Sequence, residues 1–322
     1  MIFKLLTDLK VYNSFSMSKL GKIVIVGSGA IGSYYGCRLA EAGEDVTFLL
    51  RSDYDHVKKH GIEIRSIAGN FHLSNVSCVQ DTADLEEADL IIIAWKTTSN
   101  SFAEKVIRPL LGKNTAILTL QNGLGNCEHL AGLFGAERIM AGLCFVCINR
   151  ISPGIISHTA SGLIRIGEFS SGVTPRLTQI ANAFNASNFP CEAIQSLEKA
   201  LWMKLVWNFP FNGLAIAEGG IDTKVLLNER NLEYQIRSIM SEVISVAAAL
   251  GHQIPESFID KQIEITYPMG GYRPSSMIDF IEGRAVEFQA IWEKPLEVAK
   301  KLGLEVPEME KLATRIQEKL RK

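Results

Sequence analysis

Residues 22–43 read KIVIVGSGAIGSYYGCRLAEAG, and how this stretch folds decides the architecture of the N-terminal half. Lys22 to Val26 is a short run of β-branched residues. Glycines close it, and an Ala/Leu-rich stretch with helical character continues to Gly43, so the segment predicts strand, tight turn and helix. Gly27, Gly29 and Gly32 spell GxGxxG within Gly27, Ser28, Gly29, Ala30, Ile31 and Gly32. Glycine is common enough that the spacing alone says little. Between a strand and a helix it says more: backbone N–H groups and the positive helix end can hold a pyrophosphate, and missing side chains allow close approach.

Working outward, Asp45 to Leu50 (DVTFLL), Asp89 to Trp95 (DLIIIAW) and Thr115 to Leu120 (TAILTL) read as further strands with helical patterns between them. Strands alternating with helices predict a parallel, doubly wound sheet of Rossmann type. Ile155 to Gly167 reads as a hairpin turning at Ser161 and Gly162, before a helix from about Pro175 to Ala186. Past Gln195 the strand signal fades. Helical patterns run over Leu197 to Ile216, Leu227 to Leu250, Met277 to Leu302 and Glu308 to Leu320, with one Gly/Pro-rich loop at Tyr267 to Ser276 (YPMGGYRPSS). The expected organisation is a tail over residues 1–20, a dinucleotide-binding α/β domain over 21–194, and an all-helical domain over 195–322.

A chain of 322 residues accommodates two such domains. Lysine plus arginine (33) and aspartate plus glutamate (35) nearly cancel, giving a net charge of −2 and no long basic run. That argues against nucleic acid or an anionic membrane and for a small-molecule partner; homodimerisation is left open. The longest apolar stretches, such as Leu90 to Trp95, are far short of the ~20 residues that cross a bilayer. Residues 1–20 lack a signal peptide's apolar block, and Met17 could be the start. Six dispersed cysteines suggest a reducing, cytoplasmic setting rather than a disulfide framework. Cys144 and Cys147 form a CxxC, but no second pair follows at zinc spacing, and the surrounding Met140 to Ile148 is apolar like a buried strand.

At the end of the second strand, where an acidic residue would bind the ribose 2′-hydroxyl of NAD, stands Arg51. A guanidinium can pair in forked geometry with a 2′-phosphate, and no neighbouring carboxylate is expected to repel it. Lys96, just past the expected strand Asp89 to Trp95, is a second candidate cation for the same rim. Both could be solvated surface charges, yet their placement at carboxyl ends of strands favours NADPH.

Lys204, Asn208 and Asn212 lie four apart on an expected helix and so share one face. Trp202, Leu205, Val206, Trp207, Phe209 and Phe211 cover the rest, which places the lysine where burial could lower its pKa toward general-acid duty. A snorkelling lysine with two surface amides fits the spacing equally well. Pro210 should kink this helix and free the Val206 carbonyl. Ser275 and Ser276, ten or so residues before Glu287, read as an ordinary helix start followed by a surface charge.

In order, GSGAIG, QNG at Gln121 to Gly123, KxxxNxxxN at Lys204 to Asn212, and SSM with a glutamate ten residues after the methionine resemble the ketopantoate reductase family over some 270 residues. The resemblance implies a Rossmann domain joined to a helical domain, and NADPH-dependent reduction of 2-dehydropantoate. It implies Lys204 as proton donor and Glu287 orienting it or the substrate. Asn208, Asn212 and Ser276 would hold the hydroxy acid, Asn122 would lie near the nicotinamide, and Arg51 with Lys96 would grip the phosphate end of NADPH. Four positions depart from the family pattern: Asp222 for an asparagine, Asp279 and Phe280 for glutamine and aspartate, and Val286 for a threonine. They keep open a paralogue that reduces another 2-oxo acid; a non-catalytic NADPH sensor is the reading from outside enzymology.

Overall fold

The computed structural model describes residues 19–321, so nearly all of the expected tail over 1–20 lies outside the described residues. The run KIVIV forms β1 (Lys22–Val26), and the other strands are β2 (Asp45–Leu49), β3 (Ile62–Ser66), β4 (Phe71–Leu73), β5 (Ser77–Val79), β6 (Ala88–Ile93), β7 (Leu111–Thr119), β8 (Ile139–Ser152), β9 (Ile155–Glu168) and β10 (Cys191–Ala193). They join one sheet in the order β4-β3-β9-β8-β7-β6-β1-β2-β5, with β10 pairing β9. From β8 through β5 all neighbours are parallel. In β1, Ile25 sits beside Phe48 and Ile92, all fully buried, while Val24 and Val26 enter a separate cluster on the opposite face. Burial on both faces explains why β1 and β6 are continuous apolar runs rather than alternating ones. A Rossmann-type sheet followed by a helical region is therefore what the chain forms.

Two expectations for this half need correction. Between β2 and β6 the chain makes one helix, Tyr54–His60, and then three short strands instead of a helical pattern. The hairpin turns at Pro153 and Gly154 (φ +70°), so that β8 and β9 pair antiparallel over their length. Ser161 (φ +64°) and Gly162 (φ +135°) lie inside β9, opposite a register shift between Phe145 and Val146. Their turn-like conformations are absorbed as a bulge that bends the ribbon without reversing it.

The helical half has its own core around the Leu197–Ala217 helix, which packs against the Arg230–Ala249 and Pro307–Leu320 helices. Ser196 caps its start by accepting from the Lys199 N–H. Pro210 does not end it: the helix runs on to Ala217, and the Trp292 indole donates to the Phe209 carbonyl at 2.9 Å. The expected Met277–Leu302 helix is two pieces, Ser275–Ile281 and a π-helical turn at Gln289–Glu293 leading into Lys294–Lys301. Gly283 (φ +64°) stops the first, with Arg284 N–H donating to the Asp279 carbonyl in a Schellman-type closure. The Ser257–Thr266 helix was not anticipated. Among the described residues no helix is long and apolar enough to cross a membrane.

The halves meet at the ends of β6 and β7. Gly123 (φ +81°) lies so close to Ala290 that a Cβ would collide with its carbonyl, and Leu124 N–H donates to that carbonyl at 2.8 Å. Glu287 accepts from the Thr97 N–H at 2.8 Å.

Candidate active site

The glycine motif makes a bare cradle at the end of β1. A Cβ on Gly32 would strike the Gly27 carbonyl, and one on Gly27 (φ +98°) the Trp95 backbone, so neither tolerates a side chain. Gly29 differs: its missing side chain faces open space, and it occupies the N-cap of the Ala30–Glu41 helix with no side-chain acceptor. The first helical N–H groups are left to an outside anion. Ser28 turns its hydroxyl inward to the Leu49 carbonyl (3.0 Å), and Ile31 packs on the sheet core.

Arg51 is exposed past β2, with no hydrogen bond or ion pair among the described residues. A carboxylate does stand nearby. Asp53, two residues on, is buried and directs both oxygens to Arg150 Nη1 at 2.5 and 2.6 Å. Lys96, half-buried, does not join Arg51 among the described residues; it pairs with Asp279 of the helical half, which also accepts from Arg284 Nε at 3.0 Å.

The second cluster lies in the cleft between the halves, lined by Gln121, Asn122, Gly142, Lys204, Leu205 and Asn208 among others. Lys204 Nζ donates to Asn122 Oδ1 (2.8 Å) and the Cys144 carbonyl (3.1 Å), and lies 5.6 Å from the Phe145 ring centroid. Desolvation holds its pKa below the usual lysine value, opposed by the fields of Cys144 and Glu287. Asn122 reaches this point because Gln121, buried beneath, is tied to Asn100 Oδ1 (2.7 Å), the Trp95 carbonyl (3.2 Å) and the Thr119 hydroxyl (3.0 Å).

One turn beyond Lys204, Asn208 lines the same cleft. Asn212 is buried; its Nδ2 donates to the Asn208 carbonyl (3.2 Å) and its Oδ1 accepts from the Ser276 N–H (3.0 Å). That bond fixes the start of the Ser275–Ile281 helix and buries Ser276 against the lysine helix. Glu287 is buried too, and desolvation pushes its pKa up, with Thr97 and Lys96 opposing. The expected surface charge is therefore an interior carboxylate within the electrostatic reach of Lys204. Asp222 caps the Thr223–Asn228 helix through Val225 N–H (3.0 Å). Cys144 and Cys147 both lie in β8, where Cys144 contributes its backbone carbonyl to Lys204.

The structure thus brings Asn122, Lys204 and Asn208 to one cleft, sets Asn212 and Ser276 behind Asn208 and Glu287 within the electrostatic reach of Lys204, and keeps Gly27 to Gly32 with Arg51 at the ends of β1 and β2. Sequence reasoning placed Gln121 only within the QNG motif and passed over its tie to Asn100, the Cys144 carbonyl, and the Asp53–Arg150 pair. The first had a signal, since a polar residue in an apolar strand end must find partners; a backbone carbonyl has none. Chemically, an ammonium aimed by an amide and a carbonyl, with a buried carboxylate nearby, can give a proton to an oxyanion.

The family model described as ketopantoate reductase PanE/ApbA matches residues 23–171, and its C-terminal counterpart matches 196–320. A 2-dehydropantoate 2-reductase of Nostoc sp. is 36% identical over 293 residues, covering 89% of this chain and 92% of that protein. A crystal structure of 2-dehydropantoate 2-reductase from Geobacter metallireducens GS-15 superposes with a TM-score of 0.90 at 42% identity, covering 92% of this chain and 99% of the other. D-mandelate dehydrogenase, solved with NADH and anilino(oxo)acetate, shares the fold at a TM-score of 0.86 and 22% identity, covering 93% and 98%.

Proposed function

The chain belongs to the ketopantoate reductase family and is an oxidoreductase acting on a CH–OH group, and from that premise we propose that it reduces 2-dehydropantoate to pantoate with NADPH. The observation that carries the proposal is the 2.8 Å contact between Lys204 and Asn122 inside a cleft next to the glycine cradle. The cradle, bare at Gly29 and ending on uncapped helical N–H groups, fits a dinucleotide pyrophosphate. Arg51, exposed and unpaired among the described residues, fits the 2′-phosphate that distinguishes NADPH. Residues 21–194 then serve as the cofactor-binding domain and 195–322 as the substrate and catalytic domain.

When bound, NADPH supplies the hydride that C2 of the 2-oxo acid takes up. Lys204 gives the proton: its Nζ transfers it to the oxygen that becomes the hydroxyl, so the carbonyl gains one hydride and one proton. Asn122 and the Cys144 carbonyl aim the ammonium, and burial makes its proton easier to give than that of an exposed lysine. Asn208 binds the substrate from the cleft wall, Asn212 and Ser276, buried and bonded to one another, support it from behind, and Glu287 orients Lys204 by its field. Lys96, paired with Asp279 of the helical half, is the second cation assigned to the phosphate end of the cofactor. Six free thiols among the described residues fit a reducing cytoplasm.

Asp279 favours a second reading, a paralogue specific for another 2-oxo acid, because a buried carboxylate stands one turn from Ser276 where the family pattern has a glutamine. NADPH oxidation on a panel of 2-oxo acids separates the two. Turnover fastest with ketopantoate supports the first, and turnover only with another 2-oxo acid supports the second.

A further inference from the structure

Asp53 lies two residues past Arg51, in the turn that follows β2, near enough to the same rim that a free carboxylate there would accept from a ribose 2′-hydroxyl as the NAD-selecting acid does. Arg51 itself is suited to the opposite choice. The conflict is resolved by a residue almost a hundred positions later. Arg150, near the end of β8, places Nη1 against both Asp53 oxygens, at 2.5 and 2.6 Å, and Ser52 Oγ donates to Oδ1 at 2.9 Å. Asp53 is only 6% exposed, whereas Arg51 is exposed. The arrangement is locked by the hairpin tip, since Gly154 packs so tightly on His56 and the Gly61 carbonyl that a Cβ would crowd both.

We propose that Arg150 is a positioning residue for cofactor choice: it sequesters Asp53, so that the rim beside Arg51 accepts a 2′-phosphate and not a bare ribose. This inference rests on the NADPH reading above. A buried carboxylate that loses its guanidinium cannot remain dry, and rotating toward solvent is its way out. There it pairs with Arg51, repels a 2′-phosphate and offers an acceptor to a 2′-hydroxyl. Burial disfavours the ionised form of Asp53, yet the Arg150 and Ser52 hydrogen bonds hold its pKa below the usual aspartate value, so the carboxylate is charged at neutral pH whichever way it faces.

The test is the ratio of NADPH to NADH dissociation constants, read by cofactor fluorescence and independent of any substrate. Arg150→Met should shift the ratio toward NADH by about tenfold or more. Asp53→Asn added to Arg150→Met should restore the wild-type ratio, since no carboxylate is left to release. A role in stability alone would lower the melting temperature of Arg150→Met without moving the ratio, and that result overturns the proposal. So does a double variant that stays shifted toward NADH. Should Arg150→Met fail to fold, Arg150→Lys, which keeps the charge but not the reach of the guanidinium, should give an intermediate ratio; an unchanged ratio there is equally fatal. Equal affinity of the wild-type protein for both cofactors would remove the NADPH reading itself, an outcome visible before any Arg150 variant is measured.

Discussion

Lys204 Nζ and Asn122 Oδ1 meet at 2.8 Å although 82 residues separate them, one on the first helix of the helical half and the other in the turn after β7. The contact needs both halves docked. It makes the position of the proposed proton donor, in one half, depend on a turn of the other.

Lys204→Met should lower kcat by at least about a hundredfold, the usual range for loss of a general acid, while NADPH affinity stays nearly constant. Steady-state kinetics with parallel cofactor titration measures both. A variant with near-normal kcat takes Lys204 out of the chemistry.

The pH profile follows from the same residue. The donor must carry its proton, so activity falls as pH rises through the pKa of Lys204, which burial sets below the ordinary 10.5. Glu287 favours the ammonium, so removing its charge lowers that pKa further. Glu287→Gln should therefore move the alkaline limb of kcat/KM to lower pH. A limb that stays in place, or moves up, disconnects the two residues.

Glu287→Gln should also stabilise the fold near neutral pH. Its folded-state pKa is raised, so the contribution of Glu287 to stability is full below the unfolded value near 4.5 and is lost as pH rises through the folded value. Glutamine keeps an acceptor for Thr97 N–H without that loss. The melting temperature should match or exceed wild type at pH 7 and converge with it at acid pH; a lower value at pH 7 contradicts the sign.

Gly123→Ala strains the interface between the halves. Its φ of +81° and the adjacent Ala290 carbonyl leave no room for a methyl group, and the cost should be about 2 kcal/mol or more. Thermal denaturation reads it, with a drop in kcat alongside because Asn122 is the neighbouring residue. An unchanged melting temperature would mean that the turn relaxes freely.

Asp222→Asn should barely register in KM or stability. Both residues serve equally as N-caps, and Asp222 spends its side chain on Val225 N–H. Asp222→Ala should cost about 1 kcal/mol by the same account. A severalfold fall in KM for Asp222→Asn would show instead that the carboxylate repels the substrate.

What could be read from the sequence was local. KIVIV followed by GxGxxG announces its own strand, turn and helix, and Pro175 to Ala186 announces a helix that Thr174 caps. Ser161 and Gly162 misled because residues that favour positive φ serve a turn and a bulge alike, and only the partner strand decides between them. Met277 to Leu302 misled because helical periodicity carries across Gly283, while the chain uses that glycine to stop and to bring Glu287 inward. Lys204, Asn208 and Asn212 could be placed on one face from spacing. That the face is the cleft, and that Glu287 is interior, depends on tertiary docking that no local pattern encodes. The Lys96–Asp279 and Arg150–Asp53 pairs join residues about a hundred or more positions apart and lie beyond any window of sequence reading.

The central claim is tested most directly by incubating the purified protein with ketopantoate and NADPH, following absorbance loss and quantifying pantoate. The account predicts sustained NADPH oxidation with pantoate formed mole for mole, abolished by Lys204→Met. No oxidation with ketopantoate, in a preparation shown to bind NADPH, would contradict it.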